Sequence, residues 1–300
     1  MILCDAHADT LFRFAENHKP PYDLTLERLK AGGVSLQVMA MFVGIDPKPE
    51  VIRDLFARML KAKDKLVQEG WVQADDPREA REGQTRFMLS VEGCEPFEEG
   101  LHAIDRYRDL GVRMAAITWN HENRLGTPAS VNQEDGLKPY GLQAARYMQS
   151  KGIALDVSHL NIPGFYDLLN KTDAPPLASH SCCRALCEHT RNLTDEQLKD
   201  LFKAGGYVGV NFLPYFLIGK DKPCTLDTVV DHIDHMHQLG GQGKVGFGSD
   251  FDGIDTKPEG LDNPADFPAL IDKLRERGYT KQEIENIAGL NFLAYYQRIS

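Results

Sequence analysis

Residues 2–9 read Ile-Leu-Cys-Asp-Ala-His-Ala-Asp, a short apolar run that closes on two side chains able to bind a metal ion. Seven more runs of similar character follow along the chain. Each is largely apolar on both faces, which is typical of a strand in a buried parallel sheet. The eight runs span Ile2–Ala8, Val34–Val43, Arg86–Glu92, Val112–Trp119, Ile153–His159, Pro176–His180, Tyr207–Phe212 and Val245–Asp250.

Amphipathic stretches separate these runs and predict helices. Thr194 and Gln197 fit a capping box that begins one helix. Apolar residues at helical spacing predict the others, over Val51–Glu69, Leu142–Gln149, Thr225–Leu239, Asp266–Arg277 and Thr280–Tyr296. Alternation of eight strands with helices predicts a single α/β domain over residues 1–300, a (β/α)8 or TIM barrel. A doubly wound open sheet is the alternative.

Composition narrows the classes of partner. The formal net charge is −10 and no run of lysine or arginine exceeds two residues, which argues against a nucleic-acid partner. The N-terminal stretch lacks the basic and long apolar segments of a signal peptide, and no stretch approaches the ~18 apolar residues of a membrane span. Six cysteines without a signal favour reduced thiols over disulfides. We expect a cytoplasmic protein with no membrane partner.

The positions of the metal-binding residue types indicate a function. In a TIM barrel the C-terminal ends of the strands converge on one face, so side chains there share one cavity. A single histidine or carboxylate at such a position is typical of a helix cap, but six of them predict a metal site. Imidazole and carboxylate ligands suit zinc, with manganese, iron or cobalt as alternatives. The six are His7, Asp9, Glu92, His159, His180 and Asp250.

Two other groups of metal-binding residue types have simpler interpretations. The tract Asp231–His237 falls on a predicted helix and lacks the His-Glu-x-x-His pattern, so we interpret it as a solvated helix face. Cys182, Cys183 and Cys187 match no zinc-ribbon spacing and are interpreted as packing thiols. Gly205-Gly206 lies between a helix and a strand and predicts a helix C-cap.

The chain resembles the renal (membrane) dipeptidase family of zinc peptidases, within the metal-dependent amidohydrolase group. The resemblance runs from His7 to the last helix. Among the members of the family, the chain resembles the smaller soluble bacterial ones. Its motifs are His7-Ala8-Asp9, Glu92-Gly93, Ser179-His180-Ser181, Arg191-Asn192, Gly-Ser-Asp-Phe-Asp-Gly at 248–253 and Pro-Glu-Gly-Leu at 258–261.

The resemblance implies a role for each matching residue. His7 and Asp9 would bind a first zinc ion, His159 and His180 a second, and Glu92 would bridge the two. Asp250 would transfer protons beside a metal-bridging hydroxide and contact the substrate, and Arg191 would bind the free carboxylate of a dipeptide. The implied activity is hydrolysis of free dipeptides, with tolerance of a D-residue at the C-terminal position. A homodimer is implied by analogy.

One departure from the family concerns the substrate. Family members carry a histidine after Leu-Thr at the end of the fourth strand, whereas Ile117-Thr118 is followed here by Trp119, and His121 is the nearest histidine. Either His121 substitutes for that histidine from a shifted position or the contact is absent; we expect Trp119 and His121 to contact substrate. The alternatives are a binuclear hydrolase acting on an N-acyl amino acid, a lactam or a phosphoester, and a binding protein that lost its chemistry. The complete ligand set disfavours the last.

Overall fold

A computed structural model describes residues 1–16 and 21–299. Eight parallel strands close into a barrel in chain order, with the first strand paired to the last. The TIM barrel is therefore confirmed and the open sheet is wrong. The strands are β1 (Leu3–Asp5), β2 (Val34–Phe42), β3 (Arg86–Glu92), β4 (Val112–Ala116), β5 (Ala154–Asp156), β6 (Leu177–Ala178), β7 (Tyr207–Val210) and β8 (Val245–Phe247).

Several strands end sooner than their apolar runs predict. His159 lies three residues beyond the end of β5, and Asp250 lies three residues beyond the end of β8. Both residues adopt left-handed backbone conformations, with φ of 70° and 65°. This conformation is uncommon for residues other than glycine and ends the extended strand. The side chains of these two residues therefore project from the first turns of the loops.

Helices surround the barrel. They are α1 (Thr10–Ala15), α2 (Leu26–Ala31), α3 (Pro49–Gln68), α4 (Leu101–Asp109), α5 (Pro139–Ser150), α6 (Ile162–Lys171), α7 (Asp195–Ala204), α8 (Pro214–Leu217), α9 (Leu226–Gln238), α10 (Phe267–Glu276), α11 (Lys281–Glu285) and α12 (Asn291–Arg298). The capping box of Thr194 with Gln197 is present. Sequence analysis predicted the last helix as continuous, but a π-helical turn over Asn286–Leu290 joins α11 to α12.

Helix α12 packs against the end of the barrel where the strands begin. Its Tyr295 hydroxyl donates to the carbonyl of Pro175, which precedes β6, and its Tyr296 hydroxyl donates to the carbonyl of Arg113 in β4. Phe292 and both tyrosines belong to an apolar cluster with interior strand residues. Because this end is filled, the opposite end, where the strands finish, remains open for a site.

The structure revises one of the simpler interpretations. His232 is not solvated: it is buried, its Nδ1 accepts from the backbone N–H of Cys183, and its Nε2 bonds to the carbonyl of Leu217. Sequence analysis could not foresee this, because the partners lie on other elements. All six cysteines are buried and unpaired, as predicted, and Gly205 is a left-handed C-cap of α7. Among the described residues, no helix is long and apolar enough to cross a membrane.

Candidate metal centre

The structure brings together the six candidate metal-binding side chains at the open end of the barrel. His7 stands at the centre of one group. Its Nε2 lies 3.5 Å from Oε2 of Glu92, 3.8 Å from Oδ2 of Asp9 and 3.9 Å from Oδ1 of Asp250. Glu92 is the last residue of β3, whereas the other three follow β1 and β8. The loops after the first, third and last strands thus meet at one point.

The other two histidines gather around the second oxygen of Glu92. Its Oε1 lies 2.9 Å from Nε2 of His159 and 3.5 Å from Nε2 of His180. The two Nε2 atoms are 3.2 Å apart. Each carboxylate oxygen of Glu92 therefore faces a different group of nitrogen and oxygen donors.

The donor set fits a divalent cation. Nε2 of His7 and Oδ1 of Asp9 are buried without a hydrogen-bond partner, which is costly in the absence of a ligand. Two sets of donor atoms, each within 4.8 Å of one another, could hold an ion: His7, Glu92 and His180, and His7, Asp9 and Asp250. Imidazole nitrogens with carboxylate oxygens are donors that zinc prefers.

Burial and mutual charge shift the ionisation of these groups. Burial lowers the pKa of His159 to about 4, helped by the positive charge of Arg191, so this imidazole is neutral at pH 7. Burial acts against the charge of Glu92, but the nearby His7 and His159 outweigh it and hold the pKa of Glu92 well below its usual range. Neutral histidine and ionised carboxylate are the forms that bind metals.

Asp250 differs from the other carboxylates. Burial raises its pKa to about 7; His7 opposes the rise, and the charges of Asp9 and Glu92 add to it. Its Oδ2 accepts a 2.9 Å hydrogen bond from Nδ2 of Asn211, and its Oδ1 faces His7. A carboxyl group with a pKa near 7 can both accept and donate a proton at neutral pH.

A cavity of about 400 Å³ opens above these side chains, and Arg191 forms part of its wall. Arg191 is 8% exposed, and its Nε and Nη2 are buried without a hydrogen-bond partner. Its guanidinium carbon lies 5.6 Å from the ring centroid of Phe216. Because a buried guanidinium is costly unless paired, this end of the cavity is suited to an anionic group.

Another part of the cavity wall is aromatic. Trp119 follows β4 and packs edge-on against Phe42 of β2, with ring centroids 4.6 Å apart. Both rings line the cavity, together with Ile45. His121 is on the rim instead, where its Nε2 bonds to the carbonyl oxygen of Ile45 at 2.9 Å. Contact between His121 and substrate stays a prediction.

Sequence analysis missed the residues that hold the ligands in place. Oδ1 of Asn120 lies 2.9 Å from Nδ1 of His159, and Oγ of Ser179 lies 2.7 Å from Nδ1 of His180. Asp156, which ends β5, accepts from the Ser179 hydroxyl, whereas the buried aspartate that ends β1, Asp5, contacts Ser249 instead. The only signal in the sequence is an aspartate within an otherwise apolar run.

The family model of the membrane dipeptidases, peptidase family M19, matches residues 1–299. The chain belongs to this family. An uncharacterized dipeptidase of Schizosaccharomyces pombe is 37% identical over 223 residues, which are 72% of this chain and 53% of the yeast protein. An uncharacterized protein of Klebsiella pneumoniae, encoded in the pqqA 5′ region, is 34% identical over 75% of this chain and 87% of its own length. The chain thus spans about half the length of the yeast relative.

Solved structures of the membrane dipeptidase family share the whole fold. A metallopeptidase from Rhodobacter sphaeroides, bound to a phosphinate mimic of L-Ala-D-Ala, superposes with a TM-score of 0.92 at 25% identity, covering 100% of this chain and 99% of the other. A family M19 dipeptidase, dipeptidase AC, gives a TM-score of 0.90 at 26% identity and covers 99% and 98% of the two chains.

Proposed function

We propose that this protein is a binuclear zinc dipeptidase that hydrolyses the peptide bond of free dipeptides. The observation that carries the substrate class is Arg191, a buried guanidinium with two unpartnered N–H groups in the wall of the cavity above the metal centre. A free C-terminal carboxylate would pair with these groups and relieve the cost of their burial. The relative from Rhodobacter sphaeroides, which binds a dipeptide mimic, supports the same class of substrate.

In this proposal, His7 and Asp9 would hold one ion, His159 and His180 would hold the other, and Glu92 would contribute to both. Support comes from the direction of the Glu92 oxygens, since Oε2 faces His7 and Oε1 faces the two other histidines. The chemistry that such ions supply when bound is Lewis acidity: the pKa of water falls toward 7, and the carbonyl of the scissile bond is polarised.

Asp250 moves the proton. It is held beside His7 by Asn211 and by its own left-handed backbone, so its Oδ1 points toward the donor group around His7. It takes a proton as the nucleophile forms and returns it to the amine that leaves.

Substrate contacts two contrasting parts of the cavity wall. Arg191 and Phe216 bind the C-terminal carboxylate and its neighbouring atoms, while Phe42 and Trp119 exclude water from the aromatic part. A cavity of about 400 Å³ suits a dipeptide better than a long peptide. We also propose that a D-residue is accepted at the C-terminal position, as the L-Ala-D-Ala mimic bound to the relative suggests.

A substrate screen tests the function. Protein reconstituted with zinc is assayed against L,L-dipeptides, L,D-dipeptides, the corresponding C-terminal amides and N-acyl amino acids. We expect cleavage of free dipeptides and little cleavage of the amides, because only the free acids satisfy Arg191. Preferential cleavage of N-acyl amino acids, or of lactams or phosphoesters assayed beside them, would instead assign the protein to another class of binuclear hydrolase.

A further inference from the structure

A buried hydrogen-bonded chain connects strand β5 to the candidate ligand His180. Asp156 is the last residue of β5, and Ser179 follows β6 directly. Ser179 donates a short hydrogen bond through Oγ to Oδ2 of Asp156, and the same Oγ lies 2.7 Å from Nδ1 of His180. All three residues are at most 1% exposed. These hydrogen bonds therefore link a carboxylate, through a hydroxyl, to an imidazole.

The hydrogen-bond partners of Asp156 determine the direction of this chain. Its Oδ1 accepts from the backbone N–H groups of Ser158, at 2.8 Å, and Ser179, at 3.0 Å. With the Ser179 hydroxyl on Oδ2, three donors surround a carboxylate, which as an ionised group only accepts. The single hydroxyl proton of Ser179 is thus given to Asp156. Ser179 can then only accept from His180, so Nδ1 carries the imidazole proton.

We propose that Asp156 is a positioning residue that acts through Ser179 to hold His180 in the Nδ1–H tautomer, with the Nε2 lone pair free for a metal ion. The inference rests on the proposed metal centre, whose histidines must present a lone pair. Residues that fix the tautomer in this way generally alter metal affinity when they are replaced. Nδ1 of the other candidate ligand, His159, also contacts a side-chain oxygen, Oδ1 of Asn120, at 2.9 Å.

The protein also contains a residue suited to a matched control variant. Asp5 ends β1 as Asp156 ends β5, and it accepts from Oγ of Ser249 at 2.5 Å, from N of Ser249 at 2.8 Å and from Nε2 of Gln37 at 2.9 Å. The Ser249 hydroxyl also contacts the carbonyl oxygen of His7 and accepts from the backbone N–H of Phe251, both at 3.2 Å. Asp5 is therefore an equally buried carboxylate with a serine partner, but this serine leads to backbone groups and not to an imidazole.

The test reads the tautomer directly. Asp156→Asn is nearly isosteric, and its amide nitrogen would donate to Ser179, whose hydroxyl proton then turns to Nδ1 of His180. ¹⁵N spectra of histidine-labelled, metal-free protein at pH 8, with the His180 signals identified by their loss in His180→Gln, report which nitrogen is protonated. We expect Nδ1–H in the natural protein and in Asp5→Asn, and Nε2–H in Asp156→Asn. Ser179→Ala should give a mixture of both.

Zinc affinity, measured by competition with a chelator, is the second readout. We expect one of two zinc ions to bind about 10–100-fold more weakly in Asp156→Asn and Ser179→Ala than in the natural protein and Asp5→Asn. Thermal unfolding of each metal-free variant identifies the variants that fold. If Asp156→Asn does not fold, the tautomer and zinc affinity of Ser179→Ala alone decide the test.

Two outcomes would overturn the inference: an Nε2–H tautomer of His180 in the natural protein, or the same tautomer and zinc affinity in Asp156→Asn as in Asp5→Asn. A natural protein that binds no zinc would instead overturn the proposed metal centre. The spectra of the metal-free protein still decide the role of Asp156 in that case, so the two failures are distinguishable.

Discussion

The Nε2 atoms of His159 and His180 lie 3.2 Å apart and face the same oxygen of Glu92. In the proposed metal centre, both nitrogens would turn a lone pair toward a divalent cation. A cation held in this way binds only the folded protein, in which the two side chains meet. Metal binding should therefore be measurable as a gain in stability.

We predict two divalent ions per chain in protein purified without chelator, and a lower melting temperature once they are removed. Ligand that binds only the folded state stabilises it by about 2.7 kcal/mol at a concentration 100 times Kd. Elemental analysis gives the ratio and calorimetry gives the melting temperature. Glu92→Gln should reduce the content of both ions, because its oxygens face both donor groups. A ratio that stays near zero after incubation with zinc or manganese would contradict the binuclear centre.

Asp250→Asn should leave metal content nearly unchanged and lower kcat by about 10²-fold or more, because the amide cannot transfer the proton. The hydrogen bond from Asn211 can still be accepted by the amide oxygen, so the local structure should persist. Elemental analysis and steady-state kinetics on the same preparation separate the two effects. Loss of the ions together with normal turnover after reconstitution would assign Asp250 to metal binding and remove its role in proton transfer.

Arg191→Met should raise the activation barrier for a free dipeptide by about 2–5 kcal/mol in kcat/KM, as for loss of a buried charge pair. Amidation of the substrate carboxylate should cost a similar amount in the natural protein, and the two losses should not add, because each removes the same contact. The measurement is kcat/KM for a dipeptide and its C-terminal amide with both proteins. Arg191→Lys is the control, since it keeps the charge but loses the bidentate geometry. Additive losses would place Arg191 outside the substrate site.

Glu95→Gln should stabilise the protein at pH 8. Burial raises the pKa of Glu95 from 4.5 to about 7, so the folded chain binds more protons at this residue than the unfolded chain between those values. Its contribution to stability is thus present below pH 4.5 and is lost as pH rises to 7. The variant should exceed the natural protein by about 1–3 kcal/mol in free energy of unfolding at pH 8, and should differ little at pH 4.5. Urea titrations of metal-free protein at both values would show this, and an equal difference at both would refute it.

The sequence was sufficient to predict the barrel and the gathering of the six candidate metal-binding residues. Strands of a closed parallel barrel read as apolar runs, and their ends share one face, so His7 and Asp250 could be placed together without coordinates. The contacts of Asn120 and Ser179 could not be predicted, because they depend on the exact path of loops around left-handed residues such as His159. The burial of His232 was also hidden, since its partners Cys183 and Leu217 are distant in sequence and carry no pattern.

The closure of the barrel has a consequence for the order of folding. Strands β1 and β8 share one residue pair in register, Asp5 with Phe247, and backbone bonds from Asp9 to Phe251 and from Asp250 to His7 extend their contact into the loops. Contacts between such remote parts of a chain form slowly, because a long loop must close first. We expect His7 and Asp250 to meet late in refolding. Ions would then be captured after collapse, and the last kinetic phase would depend on zinc concentration while earlier phases would not.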